Sequence, residues 1–483
     1  MTIGSLPDNV LLNIFHLYQT IGSLPTDKDV LLERFLDKKI KYHLKWRRLV
    51  HVCRRWRYIV FASPRHLGLQ FRCRATTPVG EILAVWPPMQ IIIDDPQPTH
   101  LDGINIIAAL EHPDLVCQID LSESPLTSSL LERLTTVMQK PFPVLKRLHL
   151  YYDDQNPPVL SSTFLGGSAP RLESLQLRGI PFPALPRLLL SARNLVKLEL
   201  YGVPYTGYIS PEAMVTCLST LTNLKFFTLT FQPSSSRPGR GSQHPLLLTR
   251  VDLPALISLD FKGVTEYLED FLVRINAPVI DTISITFFNR VIFDIPQLSK
   301  FVSRIEVLNS ESIDRVALCF DEDSVQLDVH KKGKMDEQVV AVPTIASVRC
   351  DALDWKISFL VQICNQLSPF LSGVKMLYIF CRNIDPLGLQ YDLDHTQWLE
   401  IFRPFIAVQS LQIGGLDELI APALQELTGE RVMEVLPGLR SLFVTDWDPS
   451  GSVREAIEPF ITARQLFNQP VTVRRQDRSV IAS

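Results

Sequence analysis

Cysteine is scarce in this chain: eight in 483 residues, at positions 53, 73, 117, 217, 319, 350, 364 and 381, with no CxxC pair and no regular spacing. That pattern argues against a zinc ribbon or a disulfide framework and leaves the thiols as small apolar residues of a buried core. Long hydrophobic runs are missing too. No window approaches the roughly 18 apolar residues of a membrane span, and Met1-Thr2-Ile3-Gly4 lacks the basic stretch that opens a secretory signal. Nor is there an excess of one charge: 48 Lys and Arg stand against 51 Asp and Glu, a net charge of −3. Nothing global attracts nucleic acid or an anionic membrane. These absences predict a soluble protein of a reducing compartment, cytoplasmic or nuclear, with neither nucleic acid nor membrane among its partners.

Chemistry-bearing motifs are equally thin. The ten histidines are scattered and none forms HExxH. Gly166-Gly167-Ser168 lacks the following lysine of a phosphate loop. Asp392-Leu393-Asp394-His395 and Asp351…Asp354 bring carboxylates close together, but in irregular sequence without a second cluster, which reads as solvated surface. No catalytic residue, metal site or cofactor is expected, and the chain reads as a non-enzyme.

What is present is apolar content, 46% of the residues, arranged in two kinds of period. Residues 5–18 predict a helix: Pro7 suits its first turn, Asp8 complements its positive end, and Val10, Leu11, Ile14, Phe15 and Tyr18 fall at three- and four-residue intervals. A second helix is predicted from about Trp46 to Phe61, with Leu49, Val52, Cys53, Trp56, Ile59 and Val60 as its stripe and Ser63-Pro64 as its stop. Between them Ile3-Gly4-Ser5-Leu6-Pro7 recurs as Ile21-Gly22-Ser23-Leu24-Pro25. The first copy is favoured as the opening, because Asn13-Ile14-Phe15 completes its stripe better than Glu33-Arg34-Phe35 completes the second. Two such helices carry more apolar surface than they can bury alone. Nine basic residues between Lys38 and Arg57 read as a solvated face or as attraction to an acidic partner.

From about residue 115 the pattern apolar-x-x-apolar-x-apolar repeats, as in Leu145…Leu150, Leu172…Leu177 and Leu195…Leu200, with further copies ending at Leu121, Leu229, Phe261, Ile285, Ile379, Ile413 and Val444. Proline stands two residues before the first apolar position at 143, 170, 254, 278 and 437. Glycine stands two after the last at 179, 202, 263 and 415. Each unit predicts a short strand, a sharp turn and a return helix, stacked on its neighbours because none can bury its back face alone. Between 285 and 379 the repeat fails. Arg315–Phe320 reads as a degenerate strand, and Val325–Val329 with Val339–Val342 as a hairpin joined through Lys331-Lys332-Gly333-Lys334. Gln232–His244 reads as a loop, and Val453–Phe467 as a capping helix.

Leu6-Pro7-Asp8-Asn9-Val10-Leu11-Leu12-Asn13-Ile14-Phe15 and Leu49-Val50-His51-Val52-Cys53-Arg54-Arg55-Trp56-Arg57 resemble the opening and closing signatures of the F-box family. Followed by leucine-rich repeats, the chain is similar to the F-box proteins expanded in mushroom-forming fungi. The resemblance implies an α/β protein: an all-α F-box module over 1–75 with an insertion near 19–45, a leucine-rich-repeat-like solenoid over 76–452 with an irregular insertion near 305–370, and a capping helix and tail over 453–483. It implies that the helices bind the Skp adaptor of an SCF (Skp–cullin–F-box) ubiquitin ligase while the repeats select a protein substrate. Leu6, Pro7, Val10, Leu11, Ile14 and Phe15 would line one side of the adaptor contact, and Leu49, Val52, Cys53, Trp56 and Ile59 the other.

Substrate would meet the strand residues that alternate with the inward leucines: His149, Tyr151, Gln176, Arg178, Glu199, Tyr201, Thr228, Asp260 and Lys262. That row mixes signs and aromatics, so no ligand charge follows from it. The alternative is a leucine-rich-repeat protein-binding scaffold with no role in ubiquitination.

Overall fold

Alternating apolar residues become strands here because each has a neighbour in register to cover it. The computed structural model describes residues 6–20, 46–97, 103–154, 156–233, 250–288, 295–305, 313–331, 344–349, 353–381, 395–427, 429–445 and 451–475. The chain divides into two units, Met1–Ile209 and Ser210–Ser483.

In the first unit, strands β1 (Gln70–Cys73), β2 (Gln90–Asp94), β3 (Val116–Leu121), β4 (Arg147–Tyr151), β5 (Ser174–Arg178) and β6 (Lys197–Val203) pair in parallel, in chain order. The repeat positions align: Leu121, Leu150, Leu177 and Leu200 sit side by side, as do Leu148, Leu175 and Leu198. All are buried. Sequential parallel pairing needs a crossover on one face, and the short strands with return segments supply it. The stack starts earlier than the leucine pattern does, since β1 and β2 precede residue 115.

The return segments are less uniform than the repeat predicts. Helices Ile104–Leu110 and Ser128–Val137 back β2–β3 and β3–β4, the second capped by the Thr127 hydroxyl accepting from Leu130 N at 3.3 Å. Between β4 and β5 the described return segment contains only a single 3₁₀ turn, Phe164–Gly167. There Leu165 and Gly166 take positive φ, and a Cβ on Gly166 would meet the Pro141 backbone.

The second unit contains β7 (Phe226–Phe231), β8 (Val251–Asp252), β9 (Ser258–Gly263), β10 (Ile275–Asn276), β11 (Thr282–Phe288), β12 (Ile313–Phe320), β13 (Ser324–Lys331), β14 (Thr344–Arg349), β15 (Met376–Cys381), β16 (Ser410–Gly414), β17 (Ser441–Val444) and β18 (Thr472–Arg475). β8 and β10 form a separate two-residue pair. The others share one sheet in the order β7-β9-β11-β14-β13-β12-β15-β16-β17-β18. The irregular region is therefore not extruded. β12, β13 and β14 form an antiparallel meander inside the sheet, with β14 parallel to β11 and β12 parallel to β15.

Arg315–Phe320 is a strand as expected, but β13 turns back on it through Asp321-Glu322-Asp323. Val339–Val342 lies outside the described residues. The turn is braced by buried Lys356, whose ammonium donates to the Asp321 and Glu322 carbonyls at 2.6 and 2.7 Å. At the other end, the helix Ser452–Leu466 is followed by β18, which pairs in parallel with β17. The helix is thus a return segment rather than the last element. Arg464 from it is fully buried and donates to the carbonyls of Pro437 and Leu439 at 3.1 and 2.8 Å, which meets the requirement that a buried charge find partners.

Candidate functional site

The N-terminal helices close on a small core. Helix Asp8–Thr20 turns Leu11 and Phe15 inward, and the Phe15 ring lies 4.7 Å from that of Trp56. The single helix expected from 46 to 61 is two, Trp46–Val50 and Arg54–Ala62. Cys53 is the reason: it takes an extended conformation (φ −158°) and its Sγ accepts from Trp56 N at 3.5 Å as the cap of the second helix. The break shifts the phase of the stripe, so Val52 and Cys53 face solvent while Leu49 and Ile59 stay inside. Arg55 ties the two signatures together, its Nε donating to the Asp8 carboxylate at 2.9 Å and its Nη2 to the Leu6 carbonyl at 2.5 Å.

The residues expected to contact an adaptor therefore separate into three groups. Leu11, Phe15, Leu49 and Ile59 are core, Leu6 and Trp56 are half-buried, and Pro7, Val10, Ile14, Val52 and Cys53 are exposed. Val10 and Ile14 are each 37% exposed and Val52 58%. Val10 and Ile14, one helical turn apart, share a face with Leu17, 57% exposed. Leu17 was not among the expected contacts, although its i, i+4, i+7 spacing from Val10 marks it. The second copy of the opening motif, at 21–25, lies outside the described residues.

The module is joined to the first repeat by Trp46. Its indole N–H donates to the Gln70 carbonyl of β1 at 2.9 Å, and its ring meets Trp86 edge-on at 5.4 Å. Arg47 lies over the Trp86 ring at 5.7 Å.

The residues expected to face substrate do share one face of their strands. In the first unit His149, Gln176 and Glu199 are in register, as are Tyr151, Arg178 and Tyr201. In the second unit Thr228 pairs with Asp260, and Thr230 with Lys262. The row is more closed than expected. His149, Glu199 and Thr228 are buried. His149 Nδ1 lies 3.2 Å from Asp120 Oδ2 and its Nε2 2.8 Å from Ser174 Oγ. Tyr201 donates to Glu199 at 3.1 Å, and Lys197 pairs with Glu199 at 3.3 Å. The Arg178 guanidinium carbon lies over the Tyr151 ring, 4.3 Å from its centroid.

Burial would raise the Asp120 carboxyl, but the His149 contact, with Ser122 and Arg147, outweighs it and holds the pKa below the ordinary value. Asp120, His149 and Ser174 are connected as in a charge-relay triad. However, the N–H groups of Glu173 and Ser174 are both given to the Lys146 carbonyl, at 2.7 and 3.0 Å. They cannot also stabilise an oxyanion. The arrangement is a polar ladder that satisfies buried and half-buried groups, with Tyr151, Arg178 and Tyr201 at its more open margin.

Asp392, Asp394 and Asp351 lie outside the described residues, and exposed Asp354 sits in the first turn of helix Leu353–Gln366, where the helix dipole favours it. Among the described residues no group of three or more His, Cys, Asp or Glu is placed to hold a metal ion, and no helix is long and apolar enough to cross a membrane.

The fold defines a class, stacked parallel-strand repeats behind an N-terminal helical module. The chain matches no family model and no curated protein. Among solved structures it is similar to the leucine-rich-repeat-containing protein LegL7 of Legionella pneumophila, at 12% identity over 84% of this chain and 99% of that one, with a TM-score of 0.27. It is similar also to the leucine-rich-repeat protein LIC12759 of Leptospira interrogans, at 11% identity over 77% and 98% of the two chains, with a TM-score of 0.21. The repeat architecture stands on the strand register itself.

Proposed function

We propose that this chain is the substrate-recognition subunit of an SCF-type ubiquitin ligase, acting in the cytoplasm or nucleus. The N-terminal helices dock on the Skp adaptor, and through it the cullin, while the repeats hold a protein substrate. The chain itself is no enzyme in this reading, since ubiquitin transfer belongs to the partner subunits. The observation that carries it is that the apolar residues Val10, Ile14 and Val52 stay exposed on the segments that resemble an F-box. Leu11, Phe15, Leu49 and Ile59 are already committed to the core, so these exposed side chains are what remains to bury against a partner. On the strand side, the Tyr151–Arg178–Tyr201 row supplies the residue types that dominate protein interfaces.

The test is capture of the Skp adaptor of its own organism by the full-length chain, beside Val10→Ser/Ile14→Ser. These are exposed positions, so the variant should keep its circular dichroism and change stability by no more than about 0.5 kcal/mol, while adaptor affinity falls by about tenfold or more. Leu11→Ala would be a poor probe, because it removes core. If wild type captures no adaptor, the ubiquitin reading is wrong. The second reading is a protein-binding repeat scaffold outside ubiquitination, and capture of adaptor without cullin would support it.

A further inference from the structure

We propose that the outer face of helix Arg54–Ala62 is a second interaction surface, one that takes an acidic extended segment of a partner protein. Arg54, Arg57, Tyr58 and Phe61 recur at helical spacing away from the side that carries Trp56 and Ile59 inward, with half-buried Phe61 also meeting the Trp46 ring edge-on. With Ala62 they line a shallow groove of about 490 Å³. Tyr58 is 73% exposed. Arg57 is restrained beside the groove by its Nε, which donates to the Val50 carbonyl at 3.0 Å.

Among the described residues of the N-terminal helices and the segment that follows them, the charge is one-sided. Residues 6–20 and 46–69 carry Arg47, Arg48, Arg54, Arg55, Arg57 and Arg65 against Asp8, whose carboxylate is engaged by Arg55. Acids at i±4 would pair with these bases along the helix, and Arg54–Ala62 has none. The whole chain is near neutral at −3, so this local excess of cations is not a property of the chain as a whole. Arginines beside an exposed tyrosine suit carboxylates, which accept the guanidinium fork in two parallel bonds. Single-stranded nucleic acid offers the same charge but calls for a run of stacking rings; Tyr58 is the exposed ring of this groove. A protein segment fits better. This surface is independent of the adaptor reading and stands or falls without it.

Fluorescence anisotropy on the full-length chain tests the proposal with a labelled Asp/Glu-rich peptide, its Asn/Gln equivalent, and single-stranded RNA of matched length. The acidic peptide should bind, and binding should weaken as salt rises. Arg54→Glu/Arg57→Glu, with unchanged circular dichroism, should weaken it by about tenfold or more. Should that variant misfold, Tyr58→Ser at its exposed position must also lower affinity. Equal binding of acidic and neutral peptides, unchanged affinity in folded variants, or tighter binding of RNA would each overturn the proposal.

Discussion

Cys53 differs from its fellow thiols in a way chemistry can read. It is exposed, whereas Cys73, Cys117 and Cys217 are buried. Burial, aided by Asp95, pushes Cys73 up to about 12; burial also lifts Cys217 to about 12 and Cys117 to about 11. Since the thiolate is the nucleophile, iodoacetamide at mildly alkaline pH should label Cys53 well before those three, as peptide mass spectrometry would show. Equal labelling of Cys73 would contradict this placement. Gly179 makes a second prediction at this scale. Its φ is +69° and a Cβ would run into the Tyr152 carbonyl, so Gly179→Ala should cost more than about 1 kcal/mol. Gly80, with nothing within 4 Å of its added Cβ, is the matched control: Gly80→Ala should stabilise by about 0.4–1 kcal/mol. Urea unfolding of the pair reads both.

At the scale of elements, β13 carries a titration. His330 stands opposite Arg315 across the β12–β13 pair. Burial, and then the Arg315 charge, lower its pKa below 6.5. A histidine lowered in this way favours the neutral form in the fold. Its contribution is complete above pH 6.5 and is lost as pH falls through the folded value. Urea unfolding at several pH values should therefore show a flatter acid limb for His330→Gln than for wild type. An unchanged limb would show that the pair is not felt. The elements also differ in how legible they were. The β3–β6 register was readable because Leu121, Leu150, Leu177 and Leu200 mark the same inward position in each repeat. β1 and β2 were not: Gln70-Phe71-Arg72-Cys73 carries no leucine, and Ile91-Ile92-Ile93 is an unbroken run without the repeat's spacing. Of the meander, β12 and β13 were readable as strands and β14 was not; the expected hairpin partner Val339–Val342 lies outside the described residues, and the pairing of β13 with β12 through Asp321–Asp323 was not legible because tertiary register, not strand propensity, sets it. At the N-terminus the apolar spacing runs straight through His51–Cys53, so periodicity hid the break that exposes Val52. That break also explains why the adaptor-contact set mixed core residues with surface ones. On the strand face, alternation gave the side each residue occupies but could not show that His149, Asp120 and Ser174 would satisfy one another.

For the molecule as a whole, the N-terminal helices have a structural task beside any docking one. A stack of repeats leaves its terminal strand with an uncovered edge and back face, and such stacks need caps. β1 pairs with β2, and Trp46 meets it by donating to the Gln70 carbonyl while packing against Trp86 and Phe61. Removing the ring takes away a buried aromatic and leaves that carbonyl without its donor. Trp46→Ala should cost about 3–5 kcal/mol, which for a unit of this size lowers its melting temperature by about 10 °C. A chain starting at Ser63 should lose at least as much and self-associate through the apolar surface it uncovers. Calorimetry and light scattering check both. If the shortened chain melted where the full one does and stayed monomeric, the helices would be an appendage on a self-sufficient stack. If it fails as expected, the module that carries Val10, Ile14 and Val52 is part of the repeat core. A partner docked there would then be held at a fixed orientation to the Tyr151–Arg178–Tyr201 row in the same unit.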